Sequence, residues 1–474
     1  MGFIIYDYIV FALLIIFIFV FLYSNRKRLK KEGGAFLYKT KWGMKLIEKI
    51  GGKYKKTLYF LSYISITLGY FLMVACFYLV GKIVWLYAFH PQIVKIIKVP
   101  PIMPLIPYID KLVPGLPPFY TTYFILILAV IAITHEFAHG IFMKRYDIKI
   151  KSTGFGFFPF FFPVLPLAFV EQDEESMVKQ SKFKQMAVLS AGTFANLLTA
   201  IFFFIVILIF FSLVFTPTGV VFDDYSYSML QITGISMVNG ISLTNPNYED
   251  ISNSLDEEGI NEVKVGDTTY FLTKEFLSKQ ANNIENIYLY DNAPALKSNL
   301  DETILEINGI KIDSVNKLGE ELLKYAPGQE ITITTLNGEE IKDYKIVLED
   351  NPASPGRPWL GIGFVNNGNG GLINKIFSIL SSFKKPHVYY EPALDGLCWF
   401  IYYLLWWLIL ICVSVALINM LPVGGLDGGR FLYLTILSLT GREKIAKRTY
   451  NYLTYFFLFL IVFLMFFWVW NFFR

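Results

Sequence analysis

Six stretches of this sequence are each long and apolar enough to cross about 30 Å of hydrocarbon, which takes roughly 20 helical residues. They lie near residues 3–23, 58–89, 119–143, 186–215, 397–421 and 453–473. Within lipid every backbone polar group must be bonded internally, so such a chain is committed to a helical bundle. Composition agrees. Of 474 residues, 54% are hydrophobic and 17% charged, against about 25% charged in a soluble chain. Mean hydropathy is +0.48, and Lys+Arg 42 against Asp+Glu 38 leaves a net charge of +4. That balance excludes a disordered protein, a nucleic-acid binder with a dense basic surface and an ordinary soluble enzyme. Cys76, Cys398 and Cys412 all fall in apolar stretches and are read as small buried residues, not disulfide partners or metal ligands. The first stretch has no basic leader and no cleavage site, so it is read as an anchor.

Lysine and arginine set the expected orientation. The run NRKRLKK at 25–31 with the lysines of 39–56, the cluster Lys144, Arg145, Lys149 and Lys151, and the cluster Arg442, Lys444, Lys447 and Arg448 fall on one side if both termini lie outside. The chain is therefore expected to be a multi-pass cell-membrane protein with those three loops cytoplasmic. Prolines 100, 101, 104, 107, 114, 117 and 118 break the segment after the second span into an irregular outer rim. After the third span, GFGFFPFFFPVLPLAFV (154–170) is too short and proline-broken to span, yet too apolar for a solvated loop. It is read as a re-entrant hairpin at the cytoplasmic interface, with the acidic EQDEE (171–175) as a solvated turn.

The organisation that follows is an anchor and basic loop (1–57), a second span and proline-rich segment (58–118), core helices (119–215), a polar region (216–365), a linker (366–396), a further core helix (397–440) and a last span (441–474). The fold class is a membrane α-helical bundle of about six transmembrane helices with an inserted α+β extramembrane region, placed outside by the charge pattern. The polar region contains an echo: ISMVNGI (235–241) and ILEINGI (304–310) place Asn-Gly at the same offset. The run 331–348 predicts a hairpin turning at Asn337-Gly338. APALKSNL, ILEINGIKI and VNKLGEELLKY follow in the order of a bacterial or archaeal PDZ domain, which this part resembles. Two tandem units are favoured over one domain carrying an insertion. The linker opens on a glycine-rich hinge (366–371), and INKIFSILSSF (373–383) is read as a short interfacial helix.

The third span contains His135-Glu136-Phe137-Ala138-His139. Residues i and i+4 share a helix face, so both imidazoles can reach one metal ion, with Glu136 beside them. Uncompensated polar residues in a span are costly, which disfavours a purely packing role. Catalytic zinc takes three protein ligands plus water. His90 and His387 lie outside the spans and are read as surface residues. Of the two Leu-Asp-Gly triplets, the one at Asp395 precedes the fifth span on the outer side and is read as a helix cap. Asp427 follows that span on the inner side, at the depth of the histidines. Depth therefore selects Asp427 as the third ligand of one Zn²⁺ per chain, held toward the cytoplasmic side.

HEFAHG (135–140), AGTFAN (191–196) and NMLPVGGLDGG (419–429) together resemble the site-2 protease family of intramembrane zinc metalloproteases, PDZ-containing subgroup, over about 119–437. The resemblance implies that His135, His139 and Asp427 bind zinc and that Glu136 is the base. It also makes Asn196 and Asn419 counterparts of the family's motif asparagines. Thr193 stands where proline is common. Glu136 is expected to take a proton from the zinc-activated water and give it to the leaving amine. Asn196 either contacts substrate or the developing oxyanion, or glues helices together. Gly156 and Phe158 of the hairpin are candidate substrate-binding residues at a strand edge.

The expected partners are the lipid bilayer and a membrane-anchored protein substrate, with a trimmed substrate's C-terminus as a candidate ligand of the PDZ-like units, and no nucleic acid. The alternatives are a non-catalytic PDZ scaffold with a structural metal, and a metal or solute transporter. A structural site would fill all four positions with protein ligands, and a transporter more often shows repeated halves.

Overall fold

A computed structural model of the chain describes residues 2–32, 35–90, 100, 102–103, 105–113, 116–158, 165–280, 285–365 and 382–472. It separates into two compact units, one of Met1–Phe210 with Trp399–Arg474 and one of Phe211–Cys398.

The first unit is built on α1 (Gly2–Ser24), α2 (Met44–Lys53), α3 (Lys55–Phe89), α4 (Thr121–Arg145), α5 (Glu174–Val178), α6 (Lys182–Val214), α7 (Leu397–Asn419), α8 (Asp427–Thr440) and α9 (Glu443–Phe472). Six of these are long and apolar enough to span a membrane, among the described residues: α1, α3, α4, α6, α7 and α9. They match the expected segments, α9 beginning ten residues earlier than expected. Apolar side chains that face inward form one core from α3 (Ile66, Met73), α4 (Phe142, Met143), α6 (Val188, Leu189), α7 (Met420 just beyond its end) and α8 (Phe431, Leu434). Those that face outward on α1 (Ile9, Leu13, Ile16) and α9 (Phe459, Phe463, Phe466) are exposed, as a lipid-facing surface requires. Polar pairs tie helices together across this core: Ser65 Oγ to Ser190 Oγ at 2.7 Å, and Tyr70 OH to Thr435 Oγ1 at 3.0 Å.

Helix α1 does more than anchor. Its Asp7, 4% exposed, reaches the first turn of α4. Oδ2 accepts from Thr121 N (2.7 Å) and Tyr108 OH (2.7 Å), and Oδ1 from Thr122 N (2.9 Å) and Thr122 Oγ1 (2.7 Å). The α4 cap residue, Tyr120, makes no side-chain cap bond of its own. The carboxylate therefore caps the helix from another helix, satisfying orphan N–H groups and complementing the positive end of the dipole.

The basic loop is folded. β1 (Leu29–Glu32) and β2 (Ala35–Thr40) join β3 (Ile150–Phe158) and β4 (Leu165–Gln172) in an antiparallel sheet of order β1-β2-β3-β4. The expected hairpin is thus β3–β4, with β3 paired on both sides and β4 on one; residues 159–164 lie outside those described. Gly156 pairs with Leu37 on one side and Leu167 on the other, and Phe158 pairs with Leu165. The edges of the sheet are β1 and β4, so the open edge of the hairpin belongs to β4. The EQDEE segment is also more than a solvated turn. Glu171 accepts from Ser152 and pairs with Lys39 at 2.9 Å, and Asp173 caps α5 through Ser176 N at 2.9 Å. Of the proline-rich rim, 105–113 and 116–120 are irregular, with one 3-10 turn at Ile109–Lys111; Pro101, Pro104 and Pro114 lie outside the described residues.

The second unit has two hydrophobic cores, nested and not in tandem. Ile235, Val238, Val263, Leu272 and Ile287 belong to the first, within a six-stranded sheet spanning 227–290. The second takes Val220 and Phe222 from before that insertion and Ile304, Ile333, Ile346 and Leu360 from after it. The sequence echo is real in the backbone. Asn239-Gly240 and Asn308-Gly309 all have positive φ (48°, 81°, 47°, 77°), the signature of a type I′ hairpin turn. Each asparagine bonds the neighbouring strand twice, to Glu262 and to Thr332 respectively. The 330–347 hairpin turns at Gly338-Glu339, one residue later than expected, with glycine taking φ +63°. Ile362–Gly363 pairs with Asp224–Tyr225 as a short strand. The hinge at 366–371 and most of the expected interfacial helix lie outside the described residues.

Candidate metal centre

Helical spacing on α4 stacks His135 and His139 one turn apart, each 8% exposed. Helix α6 passes so close that a Cβ at Gly192 would lie 2.4 Å from His139 Nε2 and 2.5 Å from His135 Nε2. Only glycine leaves room for the two rings there. Asp427 arrives on the first residue of α8, after α7 ends at Asn419 and the chain turns back. Gly428 permits that return, since a Cβ on it would stand 2.3 Å from the Met420 carbonyl carbon. Thr454 of α9 steadies the loop by accepting from Gly424 N at 3.1 Å.

Three donor atoms converge. The two Nε2 atoms are 3.1 Å apart, and Asp427 Oδ2 is 3.5 Å from His135 Nε2 and 3.3 Å from His139 Nε2. A tetrahedral ion with bonds of about 2.0–2.1 Å separates its ligand atoms by about 3.3–3.4 Å. The triangle has that size, and a set of two imidazoles and one carboxylate, with no fourth protein ligand among the described residues, is that of an open zinc site. His139 Nδ1 lies 2.7 Å from Val188 O. Its Nδ1–H donates there, which leaves the Nε2 lone pair for a metal. The residues fit zinc.

Beside the triangle, Glu136 Oε2 accepts from Val170 N of β4 at 2.9 Å. A cavity of about 1090 Å³ opens here, lined by His135, Glu136, His139, Ala168 and Val170 on one side and Asn419, Asp427 and Arg430 on another. Asn419 thus stands on the wall. Asn196 is fully buried, with its amide nitrogen 3.1 Å from His135 Nδ1, so it lies behind the ligand. Gly156 and Phe158 lie on β3, one strand in from the open edge.

Arg430 forks onto Glu174 at 2.7 and 3.1 Å and ties α8 to α5. That guanidinium holds the Glu174 carboxyl below the ordinary carboxylate range. Hydrogen bonding from Ser152 and then Lys39 does the same for Glu171. Asp395 stands two residues ahead of α7, and the carboxylate grouped with the imidazoles is that of Asp427. His387 faces Asp223 at 3.3 Å, and His90 packs on Trp85. Sequence reasoning missed Gly192, Val188 O and Val170 N–H. The AGTFAN motif carried the first, but backbone partners leave no mark in side-chain identity.

A family model described as peptidase family M50 matches residues 123–464, which include all three motifs. An uncharacterized protein of Methanocaldococcus jannaschii is 31% identical over 196 residues, covering 40% of this chain and 48% of that protein. The chain therefore spans about half the length of the curated relative it matches. With six spanning helices and this match, the chain is a multi-pass membrane protein. It belongs to peptidase family M50, the site-2 protease family of membrane-embedded zinc metalloproteases.

Proposed function

We propose that the chain is an intramembrane zinc metalloendopeptidase that cuts transmembrane segments of membrane-anchored proteins, as the second step of regulated intramembrane proteolysis. The observation that carries this reading is the donor triangle beside Glu136, set within helices and open to a cavity of about 1090 Å³. His135, His139 and Asp427 would hold one zinc. A bound zinc supplies Lewis acidity and brings the pKa of a water toward about 7.

The chain's own groups supply the rest. Val170 N–H aims the Glu136 carboxylate and occupies Oε2, leaving Oε1 to take the proton of the attacking water and return it to the leaving amine. A helical substrate hides its carbonyls in i→i+4 bonds and must unwind. The open edge of β4 offers an unwound segment a strand to pair with. Val170 N–H points away from β3, and the two-residue period of a strand puts Ala168 N–H on the same side. Asn419 stands on the cavity wall and is assigned here to substrate backbone. The PDZ-like units are read as outside, capturing a trimmed substrate's C-terminus or excluding large ectodomains, with both termini outside and the metal toward the cytoplasmic face.

Glu136→Gln and Asp427→Ala, assayed on a membrane-anchored reporter, test the reading. The first should keep zinc and lose cleavage; the second should lose both. Full activity in Glu136→Gln contradicts the mechanism.

A further inference from the structure

Helix α6 contributes no metal ligand, yet it touches both imidazoles from behind. Val188 O takes the Nδ1–H of His139. Two turns on, the side-chain amide of Asn196 faces Nδ1 of His135 at 3.1 Å, 0% exposed. With its nitrogen toward the ring, that amide donates to Nδ1, which requires the His135 proton to sit on Nε2. Nε2, however, is the atom 3.1 Å from His139 Nε2 and 3.5 Å from Asp427 Oδ2, where a metal needs a lone pair. In the same orientation Asn196 Oδ1 is buried without a hydrogen-bond partner. The two ends of a primary amide are nearly the same size, and their placement follows the proton inventory around them. Turning the amide end for end places Oδ1 on the ring, where it finds a donor, and frees Nε2 for the metal.

We propose that Asn196 is the positioning residue of His135: its side-chain oxygen accepts the Nδ1–H and fixes the tautomer whose Nε2 lone pair points at the metal. This rests on the metal-centre reading above. Helix α6 then serves both ligands alike, by a backbone carbonyl for His139 and a side-chain carbonyl for His135. Gly192 between them supplies the gap through which the rings reach α6. Such outer partners set ring orientation and ligand basicity, and their loss typically weakens metal binding by about 10–100-fold.

The test is zinc affinity of the full chain in detergent, by competition with a chelator, without reference to cleavage. Asn196→Asp can accept but, as a carboxylate, cannot donate. It should bind Zn²⁺ within about threefold of the parent, while Asn196→Leu, of similar size and without an acceptor, should bind about 10–100-fold more weakly. Asn196→Ala replaces the leucine variant if that one does not fold, as judged by the melting of the metal-free protein. Equal affinity in the variant without an acceptor overturns the proposal, and so does a tenfold loss in Asn196→Asp, which would make the amide a donor. A parent chain that takes up no stoichiometric zinc removes the metal-centre reading and the inference with it. Zinc bound by the parent and indifferent to Asn196 removes the inference alone.

Discussion

Two aspartates from other helices meet α4 at different points along its length, and they are satisfied in opposite ways. Asp7 meets the first turn and receives four donors: two backbone N–H groups, a threonine hydroxyl and a tyrosine hydroxyl. Asp427 meets the last third, where its Oδ2 faces two imidazole nitrogens at 3.3 and 3.5 Å. One of those imidazoles has already committed its proton to Val188 O. A buried carboxylate must be compensated by donors or by a cation. Asp7 has its compensation within the protein. Asp427, half-buried on the cavity wall with its side chain 22% exposed, faces the two imidazole nitrogens in place of amide and hydroxyl donors, and that difference marks one as architecture and the other as a candidate ligand.

The comparison can be broken by experiment, most severely at Glu136, the proposed base. Glu136→Gln should lower turnover on a membrane-anchored reporter by about 10²–10⁴-fold, the range for a lost general base, with zinc content unchanged. Next in size is Asp7→Ala, which strands the N–H groups of Thr121 and Thr122 and should cost about 2–4 kcal/mol of stability in detergent melts. The loss should be the same with and without chelator. Asp427→Asn should instead leave metal-free melting unchanged and abolish the increment that zinc adds; a chelator-dependent loss in the Asp7 variant would erase the distinction. Gly192→Ala forces a methyl into the imidazole edges and should cost about 1–3 kcal/mol, with zinc affinity falling alongside. Ala168→Pro removes an N–H from the open edge of β4 without touching the β3–β4 ladder. It should lower cleavage while leaving metal affinity and melting in place, and undiminished cleavage would dismiss strand addition.

The smallest effect belongs to Glu174. Because Arg430 depresses its pKa in the folded state, its contribution is complete above the unfolded value near about 4.3 and is lost as pH falls through the folded one. With Glu174 61% and Arg430 33% exposed, that contribution is at most about 1 kcal/mol. Glu174→Gln should therefore flatten stability against pH only below about pH 4.3; a change at neutral pH would assign the pair a larger role.

The spans, the histidine pair and Asp427 were legible because their signals are local: runs of apolar residues, a one-turn repeat, a depth set by neighbouring charge. What escaped the sequence is nonlocal. LKKE and AFLYKT of β1 and β2 read as part of a basic loop because their partner strand, β3, lies more than a hundred residues away. Asp7 carried no signal within the anchor, since nothing in residues 1–24 names Thr121 or Thr122 as its donors. The echo of ISMVNGI and ILEINGI identified two related hairpins correctly, yet could not tell tandem from nested, because nesting depends on where strand 215–221 pairs. Asn196 was recognised by its motif. Its place behind His135 follows from the crossing of α4 and α6 at Gly192, which sequence spacing does not encode.

The most direct test is the metal content of the purified full chain, by elemental analysis, beside its Asp427→Ala variant. One zinc per chain in the parent and none in the variant is the expected result. A metal-free parent that nonetheless cleaves, or a variant that retains its zinc, would contradict the assignment of the triangle.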